Sequence, residues 1–288
     1  MPPPDGPLRE LLSTPSTEAF VGGVRTSGQE RCAQSLLDMA GRASYIAVVL
    51  VSPDHLTDAQ VEQIEKQTLR WVTQALLDNA GEIWVEFRDS PDDADGVGED
   101  VTQDTLTRLS GFTLDRRRLY GTVDYRRARY AILPELITTQ ALFVDSKAEK
   151  SAGSGRIQIN QSSIRVLFQR PDGTVTDVPG GLQTGVALAD ERTYLTTTIF
   201  VHYHYEESPI HGRRLLQIKV ISLPNGRLEA GYVVSATNTI WNVGPDAPTL
   251  GEAQRARISF ARLKEQKNWR VQSIVYTDHG DFTCTWDD

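Results

Sequence analysis

The sequence predicts a mixed α/β protein, and two observations carry that class. One is a long stretch of helical periodicity, SPDHLTDAQVEQIEKQTLRWVTQALLDNAG (52–81). The other is a set of apolar runs with strand character: ALFVDSKAEK (141–150), RTYLTTTIFVHYHYEE (192–207) and RRLLQIKVISL (213–223). A chain of 288 residues has room for a sizeable core, either as one elaborated domain or as one domain with a small appendage.

Composition narrows the function classes. A charged fraction of 24% describes a soluble globular chain, and no apolar run reaches the roughly 18 residues of a membrane span. The start MPPPDGPLRE has neither the basic opening nor the apolar stretch of a signal peptide. Cys32 and Cys284 are too few for a disulfide framework, so a reducing cytoplasm is the expected compartment. The formal net charge of −8 argues against a non-specific nucleic-acid coat, which feeds on excess Lys and Arg. It does not argue against an enzyme that gathers its arginines in one cleft, and the arginines here are clustered at 116–118, 126–129, 213–214 and 255–257.

Taken in order, residues 1–50 read as an N-terminal extension of unknown role, and 51–288 as the main domain. The extension ends in YIAVVLV (45–51), an apolar β-branched run with the look of a buried strand. In the long helix, Leu56, Val61, Ile64, Leu69, Val72, Leu76 and Leu77 recur at three and four residues. Thr57 or Asp58 offers an N-cap, and Asn79-Ala80-Gly81 a stop. Glu62 and Glu65 lie one turn apart on it. Glu65 is a candidate helper carboxylate, against the plainer reading of a solvated glutamate. GEIWVEF (81–87) reads as a strand or a helix extension, and RDSPDDADGVGED (88–100) as a solvated acidic loop without the EF-hand spacing. Asp100 or Thr102 then caps a short helix, VTQDTLTRLSG.

The stretch that carries chemistry comes next. ALFVDSKAEK is an apolar strand that ends on Asp145 and Lys147, which at i and i+2 point to one face. Upstream, LYGTVDY (119–125) is a second candidate strand carrying Asp124, with YRRARYAILPELITTQ (125–140) joining the two. Two carboxylates converging from neighbouring strands can hold a hard divalent cation such as Mg2+. A lysine beside that ion can orient a water aimed at a phosphodiester. Asp-x-Lys alone is a weak signal, and a solvated pair at a strand end is the competing reading.

Beyond it, SAGSG (151–155) is a flexible turn, and RIQINQSS (156–163) brings Gln158, Asn160, Gln161 and Ser162 together as candidate contacts to phosphates or base edges. The run TTTIFVHYHY places His202 and His204 on one strand face, with stacked strand side chains favoured over a zinc site. LPNGRLEAGYVVSATNTIWNVGPDAP reads as loop-rich, followed by a strand, a helix and a final strand. Arg255 and Arg257, at i and i+2, share one strand face, from which two guanidiniums could each grip guanine O6 and N7.

The blocks IEKQTLRWVTQAL, EDVTQ, GTVDYRRARY, LFVDSKAEK, TTIFVHYHY and ARISFARLKEQKNWR, in this order, resemble the SfiI/BglI group of Type II restriction endonucleases from about Leu56 to Tyr276. The resemblance implies the PD-(D/E)xK core: a mixed β-sheet flanked by helices, with a β-rich DNA-recognition part and Mg2+ at the active site. The catalytic triad of that group falls on Asp124, Asp145 and Lys147, with Asp124 and Asp145 as metal ligands, and its recognition arginines on Arg255 and Arg257. Ser146 stands where a small apolar residue is usual, and His204 at what looks like an aromatic position. The implied activity is cleavage of double-stranded DNA at an interrupted, GC-rich palindrome, with GGCC-like halves and 3′ overhangs, by a homodimer or homotetramer. A structure-specific repair or junction nuclease and a catalytically inactive DNA-binding protein are the competing expectations.

Overall fold

The computed structural model describes residues 52–108, 130–133, 138–187, 192–208, 212–242 and 255–288. The N-terminal extension, including 45–51, and the strand expected around Asp124 lie outside these described residues. A short 3-10 turn (Pro53–His55) leads into α1 (Asp58–Asp78), α2 (Ala80–Asp89) and α3 (Ala94–Arg108). The strands are β1 (Tyr130–Leu133), β2 (Gln140–Glu149), β3 (Ser154–Gln158), β4 (Val166–Gln169), β5 (Val175–Val178), β6 (Gly185–Ala187), β7 (Thr193–Ser208), β8 (Gly212–Leu223), β9 (Trp241–Asn242) and β10 (Arg255–Ser259). Helix α4 (Phe260–Gln266) and the strands β11 (Val271–Tyr276) and β12 (Phe282–Thr285) complete the chain.

Helix α1 opens as its sequence requires. Thr57 Oγ1 accepts the Gln60 amide, and Gln60 Oε1 accepts the Thr57 amide at 2.8 Å, a reciprocal cap. Its buried stripe is Val61, Ile64, Leu69, Val72 and Leu76. The chain breaks at Asn79 and resumes as α2, so GEIWVEF is helix. Ile83 and Phe87, four apart, are buried while Val85 faces out, whereas strand alternation would have put all three on one face. The acidic stretch after it is not a loop throughout. Asp93 Oδ1 accepts the Gly96 amide at 2.7 Å, the bond that opens a helix, and α3 therefore begins at Ala94.

A seven-stranded sheet runs β1-β2-β7-β8-β11-β12, with β6 also paired to β7. The β2–β7 pair is parallel and the other pairs are antiparallel, so the sheet is mixed as expected. The connector before β2 contributes β1 to the sheet, and the C-terminus adds β12 where a single last strand was expected. One sheet face, with Leu142, Val144, Ala148, Ile199, Val201, Tyr203, Ile218 and Val220, packs under α1, α2 and α3. Tyr203 OH lies 2.6 Å from Thr102 Oγ1, tying α3 to the centre of the sheet.

Residues of opposite parity, among them Phe200, Ile221 and Leu223, pack against a second, three-stranded sheet, β3-β10-β9, and against α4. The approach is close. A Cβ on Gly155 of β3 would lie 2.5 Å from Phe200 Cε1 and 3.0 Å from His202 Cδ2, so only glycine lets β3 settle onto β7 here. The result is three layers: helices, main sheet, small sheet.

The structure places Glu65, the expected helper carboxylate, in a buried ion pair. It is fully buried, Oε2 accepts from Arg270 Nη2 at 2.8 Å and Oε1 accepts the Asn225 amide at 2.6 Å. Arg270, equally buried, also donates from Nε to Tyr232 OH at 2.7 Å. Both carboxylate oxygens are thus spent on holding α1 to the segment after β8 and to the 3-10 turn before β11. A buried carboxylate must be paired in this way to be tolerated.

Candidate active site

Alternation along β2 sends Asp145, Lys147 and Glu149 to the face opposite Val144 and Ala148, towards the small sheet. Register with β1 ends at Phe143, so past that point β2 is paired only to β7 among the described residues. The α3 side supplies what β1 does not. Asp95 Oδ1 accepts the Ala148 amide at 3.0 Å, and Glu99 Oε1 lies 3.4 Å from Lys147 Nζ. The sequence reading missed both carboxylates because the stretch was taken for a solvated loop. Their spacing of four, which places them on one helix face, was the available signal.

Asp145 and Lys147 therefore stand side by side on one strand, as expected, with the Asp145 carboxylate buried and Lys147 oriented by Glu99. Asp124 lies outside the described residues. Among the described residues no three His, Cys, Asp or Glu side chains gather at one point. Asp145 on the strand and Glu99 at 3.4 Å from Lys147 offer carboxylate oxygens, the ligand type of a hard cation, so this end of β2 fits Mg2+ in kind.

The second part of the site is the pair β3–β10. Arg255 and Arg257 lie on a strand, as their spacing predicted, in register with Gln158 and Arg156 respectively. The side chains of Arg255 and Gln158 are outside the described part. Arg257 points to β2: its Nη1 is 3.3 Å from Glu149 Oε2 and donates to Ser154 Oγ at 3.1 Å. Arg156 Nε donates to the other Glu149 oxygen at 3.2 Å. His202, wholly buried on β7, brings Nε2 to 3.5 Å from Glu149 Oε2, long for a hydrogen bond, and among the described residues neither ring nitrogen has a closer partner. Burial alone would raise the Glu149 pKa. The contact with His202 and the charges of Arg257 and Arg156 outweigh it and bring the carboxyl down to about 2. For His202 itself desolvation dominates and lowers the pKa, which keeps the imidazole neutral at pH 7.

Gln161 and Ser162, expected as contacts to phosphates or base edges, lie inside the fold. Both are buried, in and just after a 3-10 turn (Ile159–Gln161) whose neighbours Ile159 and Ile164 enter the core. The Gln161 carbonyl accepts from Thr198 Oγ1 at 2.8 Å, and Ser162 Oγ accepts the Ile164 amide at 3.3 Å. The Gln161 carbonyl thus holds the turn against β7, the Ser162 hydroxyl braces the turn internally, and both residues lie away from the surface.

Comparison with known proteins gives the same architecture. The family model described as Type II restriction enzyme SfiI matches residues 86–274. The Type II restriction enzyme SfiI of Streptomyces fimbriatus is 32% identical over 236 residues, covering 78% of this chain and 87% of that protein. A crystal structure of tetrameric restriction endonuclease SfiI bound to cognate DNA superposes with a TM-score of 0.68 at 29% identity, over 82% of this chain and 97% of that one. The restriction endonuclease BglI bound to its DNA recognition sequence shares the fold, with a TM-score of 0.58 at 18% identity over 84% and 97%. The chain belongs to the SfiI family of Type II restriction enzymes, which makes it a site-specific deoxyribonuclease.

Proposed function

We propose that this enzyme cuts double-stranded DNA in a Mg2+-dependent reaction at an interrupted, GC-rich palindrome with GGCC-like halves, leaving 3′ overhangs. The observation that carries the catalytic assignment is the Asp145–Lys147 pair on one face of β2, with Lys147 steered by Glu99. Asp145 and Asp124 would hold the metal. Bound there, Mg2+ supplies charge stabilisation on the phosphate oxygens and lowers the pKa of a bound water. Lys147 orients the attacking water by donating to it, and its ammonium draws the scissile phosphate towards the strand. Burial of Asp145 keeps its carboxylate in one geometry and strengthens its electrostatic hold.

Support for the GC-rich site is the strand-borne arginine pair, since a guanidinium matches guanine O6 and N7 in the major groove. Arg255 and Arg257 take that role. The interrupted palindrome and the 3′ overhangs rest on the resemblance to the SfiI/BglI group. A two-fold symmetric site calls for a symmetric protein, and the tetrameric DNA-bound SfiI structure supports a homotetramer built from such dimers.

Digestion of a sequenced plasmid in Mg2+, with the ends mapped, tests this reading. A discrete ladder with 3′ extensions at one GC-rich interrupted sequence is the expected outcome. Asp145→Ala should lower the cleavage rate by at least about a hundredfold. A variant that cuts like the wild type would overturn the catalytic assignment.

A further inference from the structure

Glu149 lies on the same face of β2 as Asp145 and Lys147, and it touches the small sheet at the residue read as a base-contacting arginine. Arg156 and Arg257 are direct cross-strand partners in β3–β10. Two guanidiniums in that relation repel one another unless an anion stands between them. Glu149 supplies the anion, with Oε1 on Arg156 at 3.2 Å and Oε2 at 3.3 Å from Arg257. Its side chain is only 10% exposed and that of Arg257 16%, so water screens the contact weakly. Ser154, at the start of β3, adds its carbonyl and hydroxyl to the same Arg257 nitrogen, at 3.3 and 3.1 Å. The buried His202 ring closes the far side of the carboxylate. Beneath the cluster, Gly155 lets β3 press against Phe200 and His202.

We propose that Glu149 is a positioning residue that couples base readout to cleavage, by fixing Arg257 at a set distance along the strand that carries Asp145 and Lys147. Glu149 stands four positions along the strand from Asp145, a span of about 13 Å that cannot stretch. A base pair that accepts Arg257 where Glu149 holds it brings the backbone into one register over Asp145. A wrong base pair displaces the guanidinium, and the phosphate with it. Binding energy at the base edge is thereby used to align the reacting groups, which is where misplacement by a single ångström is costly. This inference rests on the proposed roles of Asp145, Lys147 and Arg257.

The test uses full-length enzyme and DNA duplexes carrying the mapped site or each of its single-base-pair variants. Cleavage is followed in Mg2+ and binding in Ca2+. In Glu149→Gln, kcat at the mapped site should fall by about tenfold or more while binding in Ca2+ changes far less. Discrimination against the wrong base pair should fall by about tenfold at the position Arg257 reads and stay unchanged elsewhere. Adding Glu149→Gln to Arg257→Ala should cost no further discrimination, because the two act as one unit. Wild-type discrimination in Glu149→Gln, an equal loss at every position, or additive losses in the double variant would each overturn the inference. If Glu149→Gln does not fold, Glu149→Asp is measured in its place, with the same ratios deciding. Asp145→Ala, run in parallel, separates the two readings. Undiminished cutting by that variant defeats the catalytic assignment, whereas its loss of cutting beside a fully discriminating Glu149 variant defeats only the coupling.

Discussion

Two carboxylates, the buried Glu65 and the half-buried Glu149, are held by arginines, and their surroundings give them different tasks. Glu65 has no route to solvent, and both its oxygens are bound within the helix layer's contact with the sheet. Glu65→Gln should therefore destabilise the fold by roughly 3–5 kcal/mol, the usual effect of leaving one partner of a buried pair uncompensated. The fraction that folds should cut at unchanged positions with near-normal kcat. Urea unfolding and end-mapping check both statements, and a stable variant without turnover would restore Glu65 to the catalytic list. Glu149 behaves differently towards pH. Its folded pKa, near 2, lies below the ordinary carboxylate value, so its pairing stabilises the native state above about pH 4.5. That contribution, at most roughly 3 kcal/mol, is lost as pH falls from about 4.5 towards 2. Urea midpoints of wild type and Glu149→Gln should differ at neutral pH and converge across this window.

At the scale of elements, the docking of β3 on β7 is the most sensitive joint. Gly155→Ala places a methyl group within 2.5 Å of the Phe200 ring, and neither partner can yield without lifting the small sheet. We expect a loss of about 1–3 kcal/mol in stability. The discrimination loss should follow that of Glu149→Gln, since both variants shift Arg257 relative to β2. Thermal melts and cleavage of the single-base-pair variants measure the two effects. The elements at this joint differed in how legible they were. β2, β7, β8 and β10 could be read because alternation is a local property of the chain, and so could the face shared by Asp145 and Lys147. Only the second half of helix α3 was legible, from Val101 on: its start depends on Asp93 folding back onto Gly96, and Asp and Gly weigh against helix in any local count. Glu99 stayed hidden with it. The Glu149–Arg257 contact crosses 108 residues of chain, and no spacing rule announces such a pair. Gln161 and Ser162 misled for the opposite reason, since polar residues beside a glycine-rich turn look exposed until the flanking isoleucines are seen to enter the core.

At the scale of the whole molecule, the proposed palindromic site sets how many copies of this 32.0 kDa chain must act together. The layers give one chain one β2 end and one β3–β10 ribbon, enough for one strand and one half-site. A palindrome has two of each, and two chains related by a two-fold axis match them without any new kind of contact. Four chains, the number in the tetrameric SfiI structure, make two such dimers and would present two complete DNA sites at once. The second site on one plasmid then binds as an intramolecular event, at an effective concentration set by the intervening DNA. A plasmid with two mapped sites should be cut faster per site than a plasmid with one, by roughly tenfold at low enzyme concentration. Adding a short duplex carrying the site should speed cutting of the one-site plasmid by filling the second cleft. Light scattering should return the mass of four chains before DNA is added. Equal rates per site, no response to the added duplex and the mass of two chains would together show a dimer acting on one site at a time.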